Sequence, residues 1–162
     1  MRRVLICAMA VVLALSAGCA SGRLDELPGI KELTRLSGLR ASDEERIAAV
    51  LNDVHRGMEA RKIYKVLAHV SRNYHDAEGR DYEAMEAYLK KAFKNYREIR
   101  ITRVVPRIVV KGNRARAIET FGTVAEPADP ASDPPINLQG QVSVSLEKTD
   151  GRWQIVEWGR ML

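Results

Sequence analysis

Leu138-Gln139-Gly140-Gln141-Val142-Ser143-Val144-Ser145-Leu146-Glu147 alternates without interruption between apolar or glycine positions and polar ones. A side-chain period of two belongs to a strand with one face on a core and the other in solvent. Asp150-Gly151 follows shortly, a pair suited to a tight hairpin, and Trp153 to Leu162 returns as the next strand. Upstream, Glu126 to Pro135 carries Pro127, Pro130, Pro134 and Pro135 with two aspartates, the composition of a loop. Before it, Ala115 to Val124 reads as the hairpin partner of Glu98 to Lys111, joined through the turn residues Lys111-Gly112-Asn113. Pro106 suits only an edge position or a bulge. Ile99 and Ile101 share one parity whereas Val104, Ile108 and Val110 share the other, so the spacing predicts a bulge that bends this strand.

The preceding segment has a helical period. Ser42 with Glu45 forms a capping box, and Ile47, Val50, Leu51, Val54 and Met58 then recur on one helix face. Gly57 costs this helix about 1 kcal/mol relative to alanine, which predicts thinning or a bend there. Ile63, Val66, Leu67 and Val70 predict a second, shorter helix. Asp81 is placed to cap a third, with Tyr82, Met85, Leu89, Ala92, Phe93 and Tyr96 inward. Lys90, Lys91, Lys94 and Arg97 crowd its C-terminal half, where cations complement the helix dipole. Three helices followed by long antiparallel strands predict an α+β fold, the helices packed on one face of a curved sheet of four to six strands.

At this point the order of elements resembles the nuclear transport factor 2-like superfamily, also called SnoaL-like or cystatin-like. The resemblance rests on a helix pair ending in Val70-Ser71-Arg72-Asn73-Tyr74-His75-Asp76-Ala77-Glu78-Gly79, a third helix, and hairpins finishing in Asp150-Gly151-Arg152-Trp153-Gln154-Ile155. It spans residues 43–162. The chain departs from the pattern at Arg61-Lys62, where many members have aspartate, and in its proline-rich loop. The resemblance implies a cone whose open end can hold an apolar ligand between helices and sheet, and an outer sheet face that can form a homodimer.

The chain opens with Arg2-Arg3 and an apolar run from Val4 to Leu15. That run is shorter than the ~20 residues of a spanning helix but has the length and flanks of a secretory signal. Ser16, Ala17 and Gly18 lead directly into Cys19, which resembles the lipobox of bacterial lipoproteins. The resemblance implies cleavage before Cys19, acylation of its sulfur and new amine, and a membrane partner held through that lipid. Two or three acyl chains, at about 0.8 kcal/mol per buried methylene, make such an anchor permanent. Ala20 stands where aspartate would favour inner-membrane retention, which implies an outer-membrane position facing the periplasm in a Gram-negative cell. The expected organisation is thus a signal peptide over 1–18, a lipidated cysteine and tether over 19–42, and one domain over 43–162. As a coil, the 23 residues 20–42 would reach about 25 Å. Ile30, Leu33 and Leu36 also admit a short helix in this tether.

The chain has 162 residues and a formal charge of +5, which falls to +3 without Arg2 and Arg3. Basic and acidic residues are interspersed, which points away from nucleic acid as a partner. Cys7 leaves with the signal and Cys19 takes lipid, so the mature domain holds no thiol or disulfide. Its core alone must stabilise it.

Chemistry in an apolar cone needs an acid or base of tuned pKa. His55, beside the apolar stripe of the first helix, and Asp76, in the loop before the third, are the catalytic candidates. Glu119 and Glu157 lie within apolar strands, where alternation lets either face of the sheet receive them. Tyr74, Met85, Phe93 and Trp158 are candidates for pocket lining. His55, His69 and His75 lack a zinc-ligand spacing, so neither metal nor cofactor is expected. The ketosteroid isomerase pattern needs a tyrosine on the first helix, which has none. The leading expectation is therefore a lipid-anchored, non-enzymatic envelope protein binding a small apolar ligand or a protein partner. An isomerase, dehydratase or cyclase using His55 or Asp76 is the second, and an assembly role through the outer sheet face the third.

Overall fold

Ser42 Oγ accepts the Glu45 amide at 3.1 Å while Glu45 Oε2 accepts the Ser42 amide at 2.8 Å, so the capping box starts helix α1 (Asp43–Glu59). The computed structural model describes residues 41–161; Cys19, the signal and nearly all of the tether lie outside the described residues. Ile47, Leu51 and Val54 are fully buried along one face of α1, with Val50 and Met58 packed beside them. The helix runs unbroken through Gly57 rather than thinning there. A Cβ at this position would meet Val66 Cγ2 at 3.0 Å and the Val66 amide nitrogen at 3.2 Å, so the glycine allows helix α2 (Ile63–Leu67) to approach closely.

Beyond α2 the chain docks on the sheet through its backbone. Val70 bridges Ile155 in parallel, the Ser71 amide donates to Ile155 O at 2.8 Å, and the His75 amide donates to Val156 O at 3.0 Å. Asp81 Oδ1 then accepts the Ala84 amide at 2.8 Å and caps helix α3 (Tyr82–Asn95), which buries Tyr82, Met85 and Leu89. None of these helices is long and apolar enough to cross a membrane.

The sheet has five antiparallel strands: β1 (Tyr96–Arg103), β2 (Arg107–Lys111), β3 (Arg114–Pro127), β4 (Ile136–Thr149) and β5 (Arg152–Met161). β1 and β2 lie in tandem along one edge of β3, followed by β4 and β5. The single bent strand expected from Glu98 to Lys111 is therefore two strands. Arg103 pairs with Phe121 and Arg107 with Ile118, so Val104, Val105 and Pro106 stand opposite only Glu119 and Thr120. That one-residue excess accounts for the parity change, and Pro106, without an N–H, sits where pairing stops.

Asp150 (φ 50°) and Gly151 (φ 73°) close the β4–β5 hairpin with positive φ at both central residues, the backbone that matches strand twist. Trp153 Nε1 and Lys148 Nζ both donate to Asp43 Oδ1, at 2.9 and 2.8 Å, fastening the first turn of α1 to this hairpin. The core lies between the helices and the inner sheet face, where Ala117, Val144, Leu146, Trp153 and Ile155 are buried. Burial along β4 ends at Val142; Leu138, expected inside, is 38% exposed.

Candidate functional site

A cavity of about 280 Å³ opens between α1, α3 and the inner face of the sheet. Met58, Met85, Leu89, Phe121 and Trp158 form much of its apolar wall. Arg80 and Tyr88 also border it, the guanidinium 5.1 Å from the ring centroid and the tyrosine 52% exposed.

Two buried titratable side chains face this space. His55, next to Val54 on α1, carries Nδ1 within 2.6 Å of the Leu51 carbonyl. The carbonyl can only accept, so Nδ1 is the donor and the neutral ring presents a lone pair at Nε2. Burial, reinforced by the Arg103 charge, holds the His55 pKa below its ordinary 6.5. Glu119 lies on β3 between Ala117 and Phe121 and shares their inward parity. It is 2% exposed, and neither carboxyl oxygen has a hydrogen-bond partner among the described residues. Its Oε2 stands 3.7 Å from His55 Nε2 and its Oε1 stands 3.7 Å from Arg103 Nη1. Burial pushes the carboxyl up to about 7, with Arg103 pulling in the opposite direction. An unpaired buried polar group costs about 1–3 kcal/mol, more when charged. Glu119 is thus the least satisfied group described in the fold, and it borders the cavity.

The remaining candidates are elsewhere. Asp76 does not face the cavity: Oδ1 accepts the amides of Glu78 (3.0 Å) and Arg80 (2.8 Å), and Oδ2 accepts Arg80 Nε (2.6 Å) and Tyr74 Oη (3.3 Å). Burial works to raise its pKa, but the Arg80 bonds and charge with the Glu78 amide outweigh that and hold it below 3.8. Its lone pairs are committed to the turn. Of the four pocket-lining candidates, Met85 and Trp158 border the cavity. Tyr74 and Phe93 do not: Tyr74 is fully buried against Asp76, and Phe93 packs on the core. Glu157 is engaged by Ser145 Oγ at 3.0 Å. His69 lies 3.6 Å from Asp53, and His75 is exposed with Nδ1 3.2 Å from the Asn73 carbonyl, so the three histidines do not converge. Among the described residues no group of three His, Cys, Asp or Glu is placed to hold a metal ion.

Arg103 is the residue that sequence reasoning missed. Its signal was parity, since it continues the inward set Ile99, Ile101 and points to Glu119 where the edge strand breaks.

No family model matches the chain, and no curated protein does. Solved structures do. A protein of Novosphingobium aromaticivorans named for scytalone dehydratase superposes with a TM-score of 0.64 at 14% identity, over 83% of this chain and 88% of that one. A type 2 hexachlorocyclohexane dehydrochlorinase (LinA) gives 0.63 at 14% identity, over 80% and 88%. A nuclear transport factor 2-like superfamily protein of Salmonella enterica gives 0.61 at 16% identity, over 72% and 87%. At these identities the shared property is the fold: α+β, with helices packed against a five-stranded antiparallel sheet as in the nuclear transport factor 2-like cone.

Proposed function

We propose that this chain is a lipid-anchored cell-envelope protein, held by Cys19, whose cavity binds a small, mainly apolar molecule and transfers a proton on it. The observation that carries the reading is the buried Glu119 carboxyl, without a hydrogen-bond partner among the described residues, raised by burial to a pKa of about 7 and standing 3.7 Å from His55 Nε2 on the wall of an apolar cavity. Acid–base groups work best when their pKa lies near the operating pH. The volume, near the lower end of the ~300–1,000 Å³ usual for small-molecule sites, suits a ligand of about one ring.

The chemistry follows from the two protonation states. With Glu119 protonated and His55 neutral, His55 Nε2 accepts a proton from an acidified C–H of the ligand. Glu119 gives its proton to the oxygen of a carbonyl or departing hydroxyl on the same molecule. Isomerisation or loss of water results, and the Arg103 guanidinium stabilises the carboxylate formed. After loss of water, return of the proton from His55 to Glu119 restores the starting state. In isomerisation His55 instead delivers its proton to a second carbon of the enol, and the Glu119 carboxylate takes back the enol O–H proton. This favours the enzymatic alternative over the non-enzymatic expectation, because a cavity meant only to hold an apolar molecule gains nothing from a buried unpaired acid.

A second reading, binding without turnover, is favoured by the adaptable methionines Met58 and Met85 in the wall. One experiment separates the two. Molecules extracted with the detergent-solubilised protein are identified by mass spectrometry and incubated in D₂O with the protein and with Glu119→Gln. Deuterium entering a C–H position at least about 100-fold faster with the wild type supports proton transfer. Equal, uncatalysed rates leave binding alone.

A further inference from the structure

The outer sheet face along β2 has a composition that neither the cavity nor the core explains. Ile108 and Val110 pack inward, so Arg107, Val109 and Lys111 face away from the core. The register sets Arg116 beside Val109 and Arg114 beside Lys111. Just before β2, Val104 and Val105 are 62% and 91% exposed. Positions 105, 107, 109 and 111 thus alternate valine and cation, with two further arginines alongside. Arg114 pairs with Glu147 at 3.0 Å, whereas Arg107, Lys111 and Arg116 have no ion-pair partner among the described residues. These residues border a concave surface of about 690 Å³.

Cations on an edge strand discourage unwanted strand pairing, which would account for one or two of them. It does not account for the exposed Val109 between them or the exposed Val104 and Val105 just before them, which such a device would remove. The place where the chain enters supplies a second argument. Lys148 ties Asp43, two residues after Ala41, to the β2–β3 turn: its Nζ donates to Asp43 at 2.8 Å and its backbone N–H donates to Asn113 O at 2.8 Å. The described chain therefore begins at the Lys111–Arg114 end of the sheet, on the helix-covered face opposite the strip.

The geometry points to this strip as a contact surface for anionic phospholipid headgroups of the membrane in which Cys19 is anchored. The inference rests on the lipid-anchor reading. Lys111, Arg107 and Arg116 meet phosphate groups while Val105 and Val109 rest against the interface. Each cation near an anionic surface strengthens attraction by about fivefold. Three are too few to hold a free protein at physiological salt, where the Debye length is about 8 Å. On a tether the encounter is intramolecular, at an effective concentration in the millimolar range, and three suffice. The contact orients the domain on the bilayer.

A lipidated mature chain has no free thiol, so Val105→Cys takes an environment-sensitive fluorophore at one site. The labelled protein is reconstituted in vesicles of phosphatidylcholine alone or of equal parts phosphatidylcholine and phosphatidylglycerol. Emission shifts to the blue only with phosphatidylglycerol, and the shift is lost in high salt and in the triple variants Arg107→Gln/Lys111→Gln/Arg116→Gln and Arg107→Glu/Lys111→Glu/Arg116→Glu. These side chains face outward, so thermal unfolding of the variants checks that the fold is kept. Equal emission in both vesicles, or a shift that survives charge reversal, overturns the proposal. Loss of a bound acidic protein on charge reversal, with emission unchanged, overturns it in favour of a protein partner. Absence of an acyl group on Cys19 is a separate result that defeats the anchor reading itself.

Discussion

Arg103 Nη1 lies 3.7 Å from Glu119 Oε1, reaching it from the last residue of β1, where the edge of the sheet breaks before Pro106. A guanidinium so placed offsets part of the burial cost of the carboxylate without forming a hydrogen bond to it. Glu119 is left near half-protonation at neutral pH, with His55 on its other side.

Glu119 should make stability depend on pH in a direction opposite to that of an ordinary carboxylate. Its folded pKa, about 7, exceeds the unfolded 4.5, so its stabilisation is complete below 4.5 and lost as pH rises through 7. The full span is about 3 kcal/mol. His55, held below 6.5, acts in the reverse sense, so the wild type is compared with Glu119→Gln to isolate the acid. The advantage of the wild type in thermal unfolding should shrink between about pH 5 and pH 8. A difference independent of pH would count against a raised pKa.

Asp76 should behave as an ordinary paired carboxylate. Because its folded pKa lies below 3.8, its contribution is present above that value and is lost only as the pH falls through the lower one. Asp76→Asn forfeits the Arg80 pair inside a buried turn and should lower stability by at least about 2 kcal/mol at neutral pH. Ligand affinity, once a ligand is in hand, should change far less than in Glu119→Gln.

Gly57→Ala offers a helix-propensity gain of about 1 kcal/mol that the structure should refuse. The new methyl would lie 3.0 Å from Val66 Cγ2 and 3.1 Å from Lys65 Cβ, and overpacking of this kind costs about 1–3 kcal/mol. Chemical denaturation should show no gain and a net loss near 1 kcal/mol. A stabilised variant would mean that α2 moves aside freely.

Cys19→Ala should release the protein from the membrane fraction and abolish incorporation of labelled palmitate. Membrane association that survives the substitution would contradict the anchor.

The fold was legible where one local rule decided each element. Ser42 and Glu45 announced α1, Asp81 announced α3, and the alternation through Val142, Val144 and Leu146 with Asp150-Gly151 announced the last hairpin. The division into β1 and β2 was visible only as a parity change, because a bulge within one strand and a break between two leave the same trace in sequence. Gly57 was misjudged as a weakness, since its purpose depends on how near Val66 comes. For the site, His55 and Glu119 could each be named but not joined. Glu119 shares parity with Ala117 and Phe121, which shows the face it occupies, whereas its pairing with His55 depends on how α1 is rotated over β3. Asp76 looked equally eligible because committed and free carboxylates are identical in sequence.

The most direct measurement is the titration of the Glu119 δ-carbon by NMR in protein carrying ¹³C-labelled glutamate, assigned by comparison with Glu119→Gln. The account predicts a midpoint near 7 and a further rise in Arg103→Gln, where the opposing positive charge is gone. A midpoint at the ordinary 4.5, unmoved by Arg103→Gln, would contradict it.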